Sequence, residues 1–236
     1  MSKGRFGALI LAGILLLLIF NQELTNKVFQ IIFPSQESFL YPEASILQLF
    51  LEHLEMAGIA TLACIVLGFG IGLFALTTSG EEFQEILVNI SSIAQTFPSA
   101  GIIALAVPVI GFGVKPVVLA LAVYGILPVM LNVITGITSV PDDIVEAARG
   151  MGMREQQILF KIKIPLAFPV ILAGIKNAAI INVSAATLGA TVGAGGLGVP
   201  ILAGIQKYNP AYILEGALPA ALLAIVIDQL FGEKDG

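Results

Sequence analysis

The sequence predicts an all-α, polytopic membrane protein with about six transmembrane helices. Three observations predict it. Of the 236 residues, 57% are hydrophobic and only 11% are charged, whereas soluble domains average about 25% charged residues. Mean hydropathy is +0.98. The apolar runs exceed the ~9–11 residues of a barrel strand and do not alternate, so helices must do the crossing. The formal charge of −5 says little, because the charges are so unevenly placed. One cysteine, Cys64, and one histidine, His53, leave no intrachain disulfide and no metal site to build.

Taken in order, the first span covers 6–20, behind Lys3 and Arg5. A basic start and a short apolar core resemble a secretory signal. Asn21, Gln22 and Glu23 then stand where small residues would mark cleavage, so we expect an uncleaved span. At 1.5 Å per residue it covers only ~22 Å of a ~30 Å core, so either Lys3 and Arg5 snorkel or the polar neighbours sit in the headgroups. Residues 21–55 form an outward segment holding Pro34 and Pro42. Within it Ile46, Leu47, Phe50, Leu51 and Leu54 recur at helical spacing. That pattern predicts an interfacial helix leading into the second span, with His53 on its polar, solvated side.

The remaining spans are predicted at 56–77, 86–109, 117–137, 168–192 and 213–231. Pro98 and Pro108 predict kinks or a break in the third. Glycine and alanine, as in "LGFGIGLFAL" at 67–76, let backbones approach closely in lipid. If the N-terminus is cytoplasmic, six spans place both termini in the cytoplasm. Lys3, Arg5, Arg149, Arg154, Lys161, Lys163, Lys176 and Lys234 then face inward, and Lys27, Lys115 and Lys207 outward, which agrees with the positive-inside bias. The loop around Ser79 would be cytoplasmic and lacks Lys and Arg, the weak point of this orientation.

Between the fourth and fifth spans lies the one long cytoplasmic segment, a charged island in an oily chain. Ser139 with Asp142 matches a capping box, and Pro141 suits a first turn. A helix over about 141–149 follows. Asp142, Asp143 and Glu146 lie near its positive end, and Arg149 near its negative end. Ala147 and Ala148 leave a patch without bulk, and Gly150 and Gly152 stop the helix. A small rigid knob of this kind suits docking into a groove on another protein. An ordinary solvated loop helix fits the same residues.

Polar residues inside the spans are the candidates for lining a pathway: Gln95, Thr96, Ser99, Asn132, Asn177, Ser184 and Thr187, with Asn182 on another face. Helix–helix hydrogen bonding is the competing use of each. Asp228 is expected to snorkel to the inner interface. "GAGGLG" at 193–198 fits a dinucleotide fingerprint in spelling only, because its flanks are a membrane span and "VPILAGI". Gly193, Gly195, Gly196 and Gly198 instead predict a tight irregular turn at the outer mouth. No G-x-x-x-x-G-K-[ST] occurs, so the chain has no phosphate loop of its own.

The charged island also resembles the signature loop of permease subunits of bacterial ABC importers, the binding-protein-dependent inner-membrane component family. That pattern is Glu-Ala-Ala, three residues, Gly, nine residues, Ile, one residue, Leu-Pro. Here it reads Glu146-Ala147-Ala148, Gly152, Ile162, Ile164-Pro165, with Ile for Leu as the one departure. Similarity extends over about 50–231. "QTFPSAGIIALAVPVIGFG", "GILPVMLNVITGI" and "GATVGAGGLGVPI" look like the branch importing glycine betaine, carnitine, choline and related quaternary amines.

The resemblance implies a type I importer permease fold in the bacterial inner membrane. It implies a cytoplasmic coupling helix seated on an ABC ATPase through Glu146, Ala147, Ala148, Arg149, Gly150 and Gly152. It implies no catalysis and no cofactor in this chain, with ATP and magnesium held by the partner ATPase. The other partners implied are an extracytoplasmic substrate-binding protein, a second permease copy or close paralogue, and membrane lipid; nucleic acid is not among them. On this reading 1–55 is an N-terminal span with an outward segment, 56–231 the permease domain with its coupling loop at 139–165, and 232–236 a cytoplasmic tail. Osmoprotectant amines are the expected cargo. Amino acids or another small polar solute are the alternative, and a stand-alone channel or ion-driven carrier is a more distant one. A quaternary ammonium is usually held in an aromatic cage. This chain has no Trp and only Tyr41, Tyr124, Tyr208 and Tyr212, which suits a subunit that passes the ligand rather than recognises it.

Overall fold

The computed structural model describes residues 3–77 and 83–231, and no strand occurs among them. The loop around Ser79, Lys234 and the tail at 232–236 lie outside the described residues. Ten helices follow one another here: α1 (Lys3–Phe20), α2 (Gln22–Ile32), α3 (Ile46–Phe74), α4 (Gln84–Thr96), α5 (Ser99–Ile110), α6 (Val114–Thr138), α7 (Asp142–Gly150), α8 (Glu155–Val192), α9 (Gly198–Gln206) and α10 (Pro210–Leu230).

Among the described residues α3, α6, α8 and α10 are long and apolar enough to cross a bilayer alone. Helix α1 qualifies only together with α2, and the two are bent by 96° between them. Asn21 makes that corner, since its side chain caps α2 by accepting from Leu24 N at 3.0 Å. The predicted third span is two helices, α4 and α5. The chain turns extended at Phe97, as the residue before a proline must, and Pro98 starts the next helix. The interfacial helix and the second span are one unbroken α3, capped by Ser45 and running across the boundary at residues 55 and 56 drawn from the sequence.

Helices α3, α6 and α8 form the core. Gly125 of α6 lies against Ala178 of α8, and Gly136 against Ala167, so α6 and α8 run antiparallel. Close approach requires glycine at Gly174, where a Cβ would sit 2.6 Å from the Pro128 carbonyl and from Asn132 Cβ. Asn182 closes the same bundle. Its amide pairs with Thr61 Oγ1 at 3.0 Å and, in the orientation that satisfies both ends, donates to the Leu121 carbonyl at 3.0 Å. It is fully buried, and its use is helix–helix bonding.

Helices α1 and α10 pack beside this core through Leu15, Ile19 and Leu222. Asp228 does not simply snorkel: its carboxylate accepts from Lys176 Nζ at 2.9 Å and ties α10 to α8. Helix α8 is a rod of 38 residues. It starts as four α-helical residues, passes through a π turn over Leu159–Lys163, and ends as a 3-10 helix over Ala186–Val192. Pro165, which has no N–H to give, lies just past the π turn.

Candidate functional site

Three arrangements come from the residues singled out above. The first is the charged island, at one end of the rod. Helix α7 buries Val145 and Ala148, which join Val140 and Ile158 in a core of their own. Its other face leaves Asp142, Asp143, Ile144, Glu146, Ala147 and Arg149 exposed. The alanine patch is therefore split: Ala147 faces out, and Ala148 is 1% exposed inside the knob.

The capping box does not form. Ser139 Oγ donates instead to the Gly136 carbonyl at 2.9 Å, because Ser139 still belongs to the end of α6. Gly150 stays helical, and the stop falls at Gly152, whose φ is +81°. Arg149 Nε donates to Glu155 Oε1 at 2.8 Å across the turn. That bond, reinforced by the carboxylate's charge, raises the guanidinium's already high pKa. Beside the knob opens a cleft of about 280 Å³ between Leu73 of α3, Leu76 in the turn after it, Ile137 and Thr138 of α6, and Glu155 and Lys163 of α8.

The second arrangement is a groove of about 430 Å³ that brings together Gln95, Asn132 and Asn177 among Leu127, Leu131 and Ile181. Gln95 Nε2 donates to the Tyr124 carbonyl at 2.6 Å, and Asn132 Nδ2 donates to the Pro128 carbonyl at 2.8 Å. Both amides are thus oriented by the α6 backbone, while Asn177 is exposed. Carboxamides offer dipoles and no net charge, and among the described residues no aromatic side chain lines the groove. Such a surface offers weak polar contacts only. Thr96, Ser99, Ser184 and Thr187 are not part of it. Thr96 and Thr187 donate to carbonyls three residues back, Ile93 and Ser184. Helix α8 changes to 3-10 winding after Ala185, so Thr187 lies beyond its α-helical stretch.

The third is the glycine loop at 193–198, at the opposite end of α8. Gly193, Gly195 and Gly196 have φ of +70°, +82° and +79°. Gly198 starts α9 with its Cα pressed on the Thr187 carbonyl, so the loop folds back over the 3-10 turn. Two neighbours from α3 hold it. Glu52 Oε2 accepts from Gly196 N at 2.9 Å, and Met56 packs against Gly189 and Gly196. His53, expected on a solvated face, is 0% exposed and pairs its Nε2 with the Val183 carbonyl at 2.9 Å. It is buried because α8 and the loop cover the side of α3 that the amphipathic pattern assigns to water. Glu52 and the Lys176–Asp228 pair were missed for one reason. Their partners lie far away in the chain, and no local pattern marks them.

Among the described residues no group of three His, Cys, Asp or Glu side chains could hold a metal. The family model described as "Binding-protein-dependent transport system inner membrane component" matches residues 65–231. The choline transport system permease protein OpuBB of Bacillus subtilis (strain 168) is 37% identical over 177 residues, covering 75% of this chain and 81% of that protein. The carnitine transport permease protein OpuCB of Listeria monocytogenes is 35% identical over 177 residues, covering 74% and 81%. A structure of the MetNI methionine ABC transporter in inward-facing conformations superposes with a TM-score of 0.68 at 21% identity, over 79% of this chain and 92% of that one. At that identity the likeness speaks for the fold alone.

Proposed function

The chain belongs to the family of binding-protein-dependent transport system inner membrane components, and on that premise we propose that it passes osmoprotectant quaternary amines such as glycine betaine, choline or carnitine through an ATP-driven importer. The names of its relatives support the cargo. One observation carries the mechanism. A single rod, α8, joins the charged knob at one end to the glycine loop at the other, about 57 Å along its axis at 1.5 Å per residue.

Two copies, or this chain and a close paralogue, would face each other across the groove of Gln95, Asn132 and Asn177. Each α7 would seat on one cytoplasmic ATPase through Glu146, Ala147, Arg149 and Gly150, with Ala148 and Gly152 shaping the knob from within. ATP, held with magnesium by those ATPases, draws them together. The α7 knobs follow, and the bundle rocks between two states whose populations the nucleotide biases. A binding protein docks at the glycine-loop end and unloads there. With no aromatic cage in the groove, the amine is held weakly and leaves easily. In this reading the chain itself catalyses nothing, and both termini are cytoplasmic.

Uptake tests the cargo. A strain deleted for its own amine carriers is given the whole transport system and offered labelled glycine betaine, choline, carnitine or an amino acid. Accumulation of an amine is expected. Accumulation of the amino acid alone would overturn the cargo. A native complex purified without any ATPase subunit would overturn the importer reading itself.

A further inference from the structure

The glycine loop is fastened at more points than a flexible lid would be, and one of the fasteners is a carboxylate. Glu52 sits on α3, one residue before the buried His53 and one turn before Met56. Its Oε2 accepts from the Gly196 amide at 2.9 Å, and its Oε1 accepts from Gln48 Nε2 at 2.9 Å. Both oxygens are therefore occupied, and the side chain is oriented by its own helix. The fit is close: a Cβ on Gly195 would strike Glu52 Oε2, and a Cβ on Gly196 would lie 2.8 Å from Met56 Cε. His53 adds a second tie from the same helix turn to the end of α8, through Val183.

The loop is also the junction of the other elements at this end. The Val192 carbonyl accepts from Gly113 N at 2.8 Å, which ties in the turn between α5 and α6. Leu197 is 0% exposed, and its carbonyl backs onto Gly216 of α10. Whatever places the loop places the ends of α3, α6, α8 and α10 relative to one another.

We propose that Glu52 is a positioning residue of the transport cycle: its carboxylate pins the 193–198 loop to α3, so that loop and helix move as one body and motion arriving along α8 opens or closes the mouth. The pin is a charge-assisted hydrogen bond to a backbone amide, a strong class of such bonds. Without it the loop stays covalently attached to α8 but no longer carries α3 with it. Transport then falls while ATP hydrolysis continues. This rests on the importer reading above, so the test needs one readout that does not depend on transport.

Hydrogen exchange supplies that readout. It is measured on the full complex of permease, ATPase and binding protein in nanodiscs, wild type against Glu52→Ala and Glu52→Gln. In Glu52→Ala the 193–198 segment should exchange about ten-fold faster, as expected for loss of one such bond, while the 142–158 segment is unchanged. Glu52→Gln keeps an acceptor oxygen on a side chain of equal length and should restore most of the protection. In proteoliposomes Glu52→Ala should lower glycine betaine taken up per ATP hydrolysed by about ten-fold, and Glu52→Gln should recover it. Unchanged exchange in Glu52→Ala overturns the pin. Faster exchange with unaltered uptake per ATP overturns its role in the cycle. If the wild type takes up no amine while the exchange pattern appears as described, the cargo reading has failed and the pin has not.

Discussion

The two ends of α8 are built on opposite plans. At the knob end α7 makes its own small core from Val140, Val145, Ala148 and Ile158, all within twenty residues of sequence, and shows a charged face outward. At the loop end only Ala194 and Leu197 bury side chains of the loop itself, and its glycines receive their neighbours from α3 and α10. The first end is a small local core packed on the start of α8 through Ile158, with a charged face left outward for a partner to grip. The second is embedded, suited to being moved together with its surroundings. A permease that takes force at one face and reshapes the other needs both.

The contrast predicts different responses to substitution. The largest is expected for Gly198→Ala, whose new Cβ would meet the Thr187 backbone carbonyl, an atom that cannot move aside. Uptake should be lost, while the ATPase still co-purifies at wild-type yield, because α7 shares no contact with that end. Loss of ATPase binding as well would show that the two ends are not independent.

Next comes the pair Ala148→Leu and Ala147→Leu, neighbours on opposite faces of α7. Ala148→Leu overpacks the knob and should destabilise it by about 1–3 kcal/mol, read as faster hydrogen exchange over 142–158. Ala147→Leu should leave that exchange unaltered and still reduce ATPase recovery, because the bulk is added where the partner seats. Gly152→Ala forces an alanine to φ +81° and should cost about 1–2 kcal/mol, seen in the same exchange window. The smallest effect belongs to Arg149→Ala. Its bond to Glu155 is exposed, so thermal stability should not change measurably, and any loss of ATPase affinity should shrink as salt is raised.

The same contrast explains what could be read from the sequence. Helix class, the long spans, the short α7 and its glycine stop were legible because each follows from composition, period or spacing within a few turns. The break at Pro98 was legible as one of two outcomes, a kink or a break, and the extended Phe97 before the proline made it a break. His53 was misassigned to water because amphipathic spacing reports one helix at a time, and the cover over α3 comes from Val183 and Gly196. The Ser139–Asp142 box failed because α6 continues to Thr138 and engages Ser139 first. Of the polar span residues, Gln95, Asn132 and Asn177 met in one groove. Ser184 and Thr187 did not, and Thr187 spends its hydroxyl on the Ser184 carbonyl of its own helix. Glu52 and the Lys176–Asp228 pair depend on contacts between distant segments, which a single sequence does not display.

The claim at the centre of the account is that force enters at α7 and is converted into passage by this chain. ATP hydrolysis and glycine betaine uptake, measured side by side in proteoliposomes carrying the complete system, test it most directly. With wild-type permease, adding loaded binding protein should raise both together. With Glu146→Arg, which reverses a charge on the exposed face of α7, hydrolysis should no longer respond to the binding protein and uptake should fall to background, with membrane insertion unaffected. Coupled uptake at the wild-type level in Glu146→Arg would contradict it.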